Sequence, residues 1–145
     1  MRTPKEVNRF LSVLPVIACC FLFASCLESQ QSDSSNRLLE SDLKQLASMK
    51  QEILDYVGNA SCSSAEECRS IALGEKPCGG PWEYVVYSNE SVNEEDLEDL
   101  VTAYNNFEHD INVTYQRMSD CMYVLPPEEL ILEKGHCIAG PGSGP

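Results

Sequence analysis

Cys68-Arg69-Ser70-Ile71-Ala72-Leu73-Gly74-Glu75-Lys76-Pro77-Cys78-Gly79-Gly80-Pro81-Trp82-Glu83-Tyr84-Val85-Val86-Tyr87-Ser88 is the stretch whose reading decides the fold. Its ends read as strands and its middle as a turn. Ser70-Ile71-Ala72-Leu73 is short, mostly apolar and stopped by Gly74. Residues 82–88 are aromatic and β-branched, a composition that suits a pleated, half-buried surface. Pro77, Gly79, Gly80 and Pro81 supply turn chemistry on either side of Cys78. Two strands alone cannot bury their apolar face, so the flanking sequence must cover it.

That cover is helical. Leu39, Leu43, Leu46, Ile53, Leu54 and Val57 recur at helical spacing and predict a helix over residues 37–57, capped by Ser35 or Asn36 and closed by Gly58. Residues 59–64 read as loop. Ser64-Ala65-Glu66-Glu67 has the pattern of a capping box and opens a short helical turn. Ser91-Val92-Asn93-Glu94 is a second such box. After it, Leu97, Leu100, Val101, Tyr104, Phe107 and Ile111 line one helical face to about residue 117. Residues 121–125 read as a further strand, ended by Pro126-Pro127. Leu130-Ile131-Leu132 and His136-Cys137-Ile138 flank Glu133-Lys134-Gly135 as a hairpin. The order α, β-β, α, β-β-β predicts an α+β fold. We expect a single small domain at residues 37–139, with two amphipathic helices packed on an antiparallel sheet and stabilised by disulfides. No internal repeat is present.

The front of the chain reads as an address. Residues 2–9 are polar and net basic, and residues 11–23 are apolar apart from Ser12 and Pro15. As a helix that run spans about 20 Å, short of a hydrocarbon core of about 30 Å. A basic start, a short apolar run and then small residues predict a signal peptide over residues 1–25. The run ends in Phe23-Ala24-Ser25-Cys26, which resembles the lipobox of bacterial lipoproteins, where a branched apolar residue and two small residues precede an invariant cysteine. Phe23 stands where that family usually has Leu. Val16-Ile17-Ala18-Cys19 also fits, but cleavage there would start the mature chain inside apolar sequence.

The resemblance implies a diacylglycerol group on the Cys26 sulfur, cleavage before it, and acylation of the new amino group with a fatty acid such as palmitate. One acyl chain holds a protein only marginally, at about 0.8 kcal/mol per buried CH₂, whereas three anchor it durably. Leu27 follows where Asp would retain such a protein at the inner membrane, which points to the outer membrane of a bacterial envelope. Residues 28–36 contain no apolar side chain and read, with Cys26 and Leu27, as a lipidated flexible tether. Residues 140–145 (G-P-G-S-G-P) read as a disordered tail.

Charge narrows the partners. The 145 residues carry a net charge of −13, and beyond residue 25 there are 7 basic and 22 acidic groups. So acidic a surface repels phosphate backbones and anionic headgroups, so no nucleic-acid partner is expected. The expected partners are the membrane, through the lipid anchor, and an envelope or extracellular protein.

Of eight cysteines, Cys19 and Cys20 leave with the signal and Cys26 is the anchor. Cys62, Cys68, Cys78, Cys121 and Cys137 remain for an oxidising compartment, where disulfides are the default. Five is odd, so at most two bridges form and one thiol is left over. We expect Cys78–Cys121 and Cys68–Cys137, stapling the first hairpin to the last strands, with Cys62 left over in its loop. The spacings C-x5-C, C-x9-C, C-x42-C and C-x15-C lack the close ligand pairs of zinc sites, so no metal site is expected.

The quoted stretch, with Ser119-Asp120-Cys121 and Gly135-His136-Cys137, resembles a set of small exported bacterial proteins, many lipidated, with cysteines in this order around C-G-G-P. It covers about residues 62–138 and implies export and a common fold, without an activity. A further cysteine often precedes the last one in that set; residues 129–134 contain none.

Candidate chemistry is thin, and neither an enzyme nor a cofactor is expected. His109 sits between Glu108 and Asp110 and reads as a solvated residue. His136 neighbours Cys137 in a strand, where adjacent side chains point to opposite faces and cannot pair as nucleophile and base. Glu94, Glu95, Asp96, Glu98 and Asp99 lack the alternating pattern and glycine of a calcium loop. They read as acids favoured by a helix N-terminus. Asn59, Asn89 and Asn112 begin N-x-S/T sequons, which matter only in a eukaryotic secretory pathway. Pro77, Gly79, Gly80, Pro81 and Trp82 form a candidate recognition loop, with Trp82, Tyr84 and Tyr87 as anchors. The simpler alternative is a tight turn with the aromatics in the core. The expected function is a lipid-anchored binding or structural module. The second expectation is an inhibitor of an exported hydrolase, presenting loop 77–82.

Overall fold

The computed structural model describes residues 14–141, and for residues 14–33 the backbone alone. The start of the expected signal peptide (1–13), the Cys26 side chain and the last four residues of the tail lie outside this description. The chain divides into two units, Met1–Glu40 and Ser41–Pro145.

Helix α1 runs Leu14–Val57 and belongs to both units. It corrects the expected start near residue 37: the polar stretch 28–36, read as a flexible tether, is helical. Neither Gly nor Pro occurs between Val16 and Val57, so nothing in the sequence breaks the helix, and Pro15 stands at its first turn where proline is tolerated. Among the described residues no helix is long and apolar enough to cross a membrane. Residues 34–38 are all exposed.

The second unit is a small α+β domain. After α1, Gly58 adopts φ 60° and ends the helix, as expected. Ser64 caps a single 3-10 turn, Ala65–Glu67, accepting from the Glu66 N–H. Strand β1 (Cys68–Leu73) pairs antiparallel with β2 (Glu83–Ser88), with Ser70 opposite Val86 and Ile71 opposite Val85. Helix α2 spans Glu94–Thr114. Its N-cap is Asn93, not Ser91 as the capping-box reading had it. The Asn93 side chain accepts from Glu95 N and Asp96 N, while the Ser91 hydroxyl donates to the Ser88 carbonyl. Strands β3 (Leu130–Glu133) and β4 (His136–Ala139) form a second antiparallel pair. Lys134 and Gly135 have φ 53° and 81°, the doubly positive backbone of a tight hairpin turn.

The single sheet of the sequence reading is thus two separate two-stranded sheets. The strand expected over 121–125 is absent. Residues 118–128 are irregular, and Met122, Tyr123 and Leu125 are exposed rather than paired to a neighbour. Pro126 and Pro127 have no N–H to continue a ladder at its end.

The alternation of β1–β2 places the two sheets. Paired positions share a face, so Leu73, Val85 and Tyr87 lie on one side and Cys68 and Val86 on the other. The first set is buried, as are Leu46, Ile53 and Val57 of α1 and Leu97, Val101, Tyr104 and Ile111 of α2. Leu97 and Ile53 are almost wholly enclosed, and burying a side chain of this size contributes about 1.5–3 kcal/mol. On the other side, Ala60, Cys62, Cys68 and Cys137 form a second cluster, packed by Val86 and Leu130. The β1–β2 sheet therefore lies between the helices and the β3–β4 hairpin. Lys50 of α1 and Glu83 of β2 form an ion pair across the helix side.

Candidate functional site

The segment from Gly74 to Trp82 leaves β1, crosses α2 and returns as β2. Its seat is polar. Glu108 on α2 is buried, and its carboxylate accepts from the Trp82 indole N–H (2.9 Å) and from the Glu75 backbone N–H (2.8 Å). Asn105 accepts from the Gly74 N–H at 2.7 Å, and the Asn112 amide donates to the Glu75 carbonyl at 2.6 Å. Residues three and four apart share a helix face, so Asn105, Glu108 and Asn112 form one stripe that grips the incoming loop. Gly74 is required here. Its φ is 95°, and a Cβ would sit 2.5 Å from Trp82 Cδ1.

Lys76 is the second buried ionic group. Its ammonium donates to the Met122 carbonyl at 2.7 Å, faces Asp120 at 3.4 Å, and lies 4.9 Å from the centre of the Trp82 ring. Together with the Cys78–Cys121 disulfide, these contacts fasten loop 77–82 to the irregular segment 118–123. Pro77, Cys78, Gly79 and Gly80 are exposed, Pro81 is half-buried and Trp82 is 38 % exposed. Met118, Met122, Tyr123 and Leu125 are exposed on the adjoining segment.

The candidate anchors divide. Trp82 keeps an accessible face. Tyr87 is in the core, where burial first, and then its hydrogen bond to Glu94, push its phenol up to about 12. Tyr84 is half-buried. Tyr104, beneath the loop, is also raised to about 12, by burial first and then by the Glu108 charge. The phenol of Tyr115 is raised by its 2.7 Å hydrogen bond to Asp42.

His109 is exposed on α2 and borders two shallow clefts, of about 160 and 320 Å³, each also lined by Glu75. His136 turns toward the Asn59 carbonyl, 3.0 Å from its Nδ1, while Cys137 is buried and bonded elsewhere. Glu94, Glu95 and Asp96 form the first turn of α2. Of the sequon asparagines, Asn112 is buried.

The second disulfide joins Cys68 of β1 to Cys137 of β4. Cys62 carries a free, buried thiol. Its sulfur is 2.7 Å from that of Cys137 and 3.6 Å from that of Cys68. The sequence reading makes Cys62 the spare thiol of a loop, and it is unbridged. The Ser61–His136 bridge, flanked by Cys62 N–H to Gly135 O and Cys137 N–H to Ala60 O, places it beside β4. No local pattern in residues 59–64 announces that long-range pairing.

The site and fold define a disulfide-stapled α+β module whose loop 77–82 is bonded to segment 118–123 and seated on helix α2. No family model, curated protein or solved structure matches the chain.

Proposed function

We propose that this protein is a lipid-anchored component of a bacterial cell envelope, probing or bracing a partner protein or surface polymer with its cross-linked domain. The observation that carries the reading is the basic start and short apolar run ending in Phe23-Ala24-Ser25-Cys26. Acylation of Cys26 would hold the domain at a membrane surface, most simply the outer membrane given Leu27. The domain's role as a binding module is supported by loop 77–80 and the apolar side chains of Met118, Met122 and Tyr123, brought together by one disulfide. Exposed apolar groups on a fixed scaffold favour partner contact. No catalytic role is part of the proposal.

Cys26→Ser tests it. The variant is expected to keep its leader uncleaved and to carry no acyl groups. Cleavage before residue 26 as in the parent chain, with the same membrane attachment, would overturn the reading.

The inhibitor reading retains one favourable observation. The loop at 77–80 is exposed and is fixed at Cys78 by a bridge, the geometry that lets a peptide enter a protease cleft without losing entropy. Inhibition of an exported hydrolase by the purified domain, abolished when residues 79–80 are both replaced by bulky residues, would favour it over the bracing role.

A further inference from the structure

We propose that Cys62, Cys68 and Cys137 form a three-sulfur exchange centre, in which the bridge to Cys137 migrates between Cys68 and Cys62. All three sulfurs lie within 4.8 Å of one another, in a cluster closed by Val86 and Leu130. Cys62 is nearer Cys137 (2.7 Å) than Cys68 (3.6 Å), so Cys137 is the sulfur attacked and Cys68 the one displaced. Backbone hydrogen bonds on both sides of the Ser61–His136 bridge hold Cys62 in place, which makes the approach a built feature of the fold.

The step balances within the chain. The Cys62 thiol loses its proton, and its thiolate attacks the Cys137 sulfur. A Cys62–Cys137 bond forms, the Cys68–Cys137 bond breaks, and the bonding pair leaves with Cys68. The proton released by Cys62 is returned to the Cys68 thiolate through solvent. No oxidant or reductant is consumed. The three distances describe a triangle, so the Cys137 side chain turns to bring the sulfurs into line before the exchange.

Chain entropy does not choose between the isomers. The two bridges span 69 and 75 residues, and loop-closure entropy changes negligibly over that range. Packing decides instead. In one isomer β4 is stapled to β1, and in the other it is stapled to the 59–64 loop, leaving β1 held to the β3–β4 hairpin by packing alone. The centre is thus a device that can release the covalent tie between the two sheets without opening the Cys78–Cys121 bridge.

The test uses the full chain, purified without reductant, incubated at mildly alkaline pH, quenched in acid, denatured and alkylated with a maleimide. Cleavage after Glu66 and Glu67 separates Cys62 from Cys68 for peptide mapping. Label is expected to shift with incubation time from Cys62 toward Cys68, with Cys137 unlabelled throughout. Label confined to Cys62 at all times would overturn the proposal. Cys68→Ser gives a second readout: with dissolved oxygen as the two-electron acceptor it is expected to form a Cys62–Cys137 bridge, leaving neither of these two sulfurs open to the maleimide. Two free thiols in that variant, at Cys62 and Cys137, would also overturn it. If the variant fails to fold, the time course of the unsubstituted chain decides alone.

Discussion

The indole nitrogen of Trp82 donates to the buried Glu108 carboxylate at 2.9 Å, and that bond ties the presented loop to the middle of α2. The same carboxylate holds the Glu75 N–H. Glu108→Gln keeps the volume but turns an amide nitrogen toward one of these donors. Leaving one donor unpaired costs about 1–3 kcal/mol. Urea titration is expected to show a lower midpoint with an unchanged slope. A midpoint equal to that of the parent chain would show that the loop is seated without Glu108.

Gly74→Ala attacks the same seat from the backbone. The residue needs positive φ, and its Cβ would collide with the Trp82 ring. We expect destabilisation of about 1–3 kcal/mol and a Trp82 fluorescence spectrum shifted toward that of exposed indole. A spectrum and stability like the parent's would refute the close approach.

Helix α2 offers a test of which residue caps it. Asn93 accepts from Glu95 N and Asp96 N, whereas Ser91 bonds to the preceding turn. Asn93→Ala is expected to cost about 1 kcal/mol, and Ser91→Ala less. The reverse order in denaturant melts would restore the capping box read from the sequence.

Two raised phenols set an alkaline limit. Tyr87 and Tyr104 ionise in the folded chain at about 12, against an ordinary value of 10.0. The folded state therefore holds protons that the unfolded state releases. Their contribution to stability is complete below pH 10 and is lost as pH rises from 10 to 12. Tyrosinate absorbance and near-UV circular dichroism should show a late step coinciding with unfolding. All six tyrosines ionising together near pH 10.0 with the fold intact would contradict this.

Removal of the Cys78–Cys121 bridge tests the cross-linked surface. It closes a span of 43 residues, and its loss in the Cys78→Ser/Cys121→Ser pair is expected to cost about 2–4 kcal/mol. The irregular 118–128 segment should then become the first site of limited proteolysis. An unchanged cleavage pattern would mean that Lys76 and its partners suffice to hold it.

These positions also show what a single sequence displays. Helix α2 and the end of α1 are visible because Leu97, Val101, Tyr104 and Ile111, like Leu46, Ile53 and Val57, repeat with the helical period and are buried. The hairpins were visible because Lys134-Gly135 and the Gly-rich turn carry local conformational preferences. The 121–125 segment misled because apolar composition says nothing about whether a partner edge exists. The start of α1 was missed because polar residues without Gly or Pro neither require nor prevent a helix. Within the site, the exposed turn was legible, but the buried roles of Glu108, Lys76 and Cys62 were not. Each depends on a partner more than 25 residues away.

The account turns on the chemistry of Cys26, and the mass of the N-terminal peptide of protein extracted from membranes tests it most directly. The account predicts a peptide beginning at Cys26 and heavier than its sequence by a diacylglycerol and an amide-linked acyl chain. An unmodified peptide beginning at any other residue would contradict it.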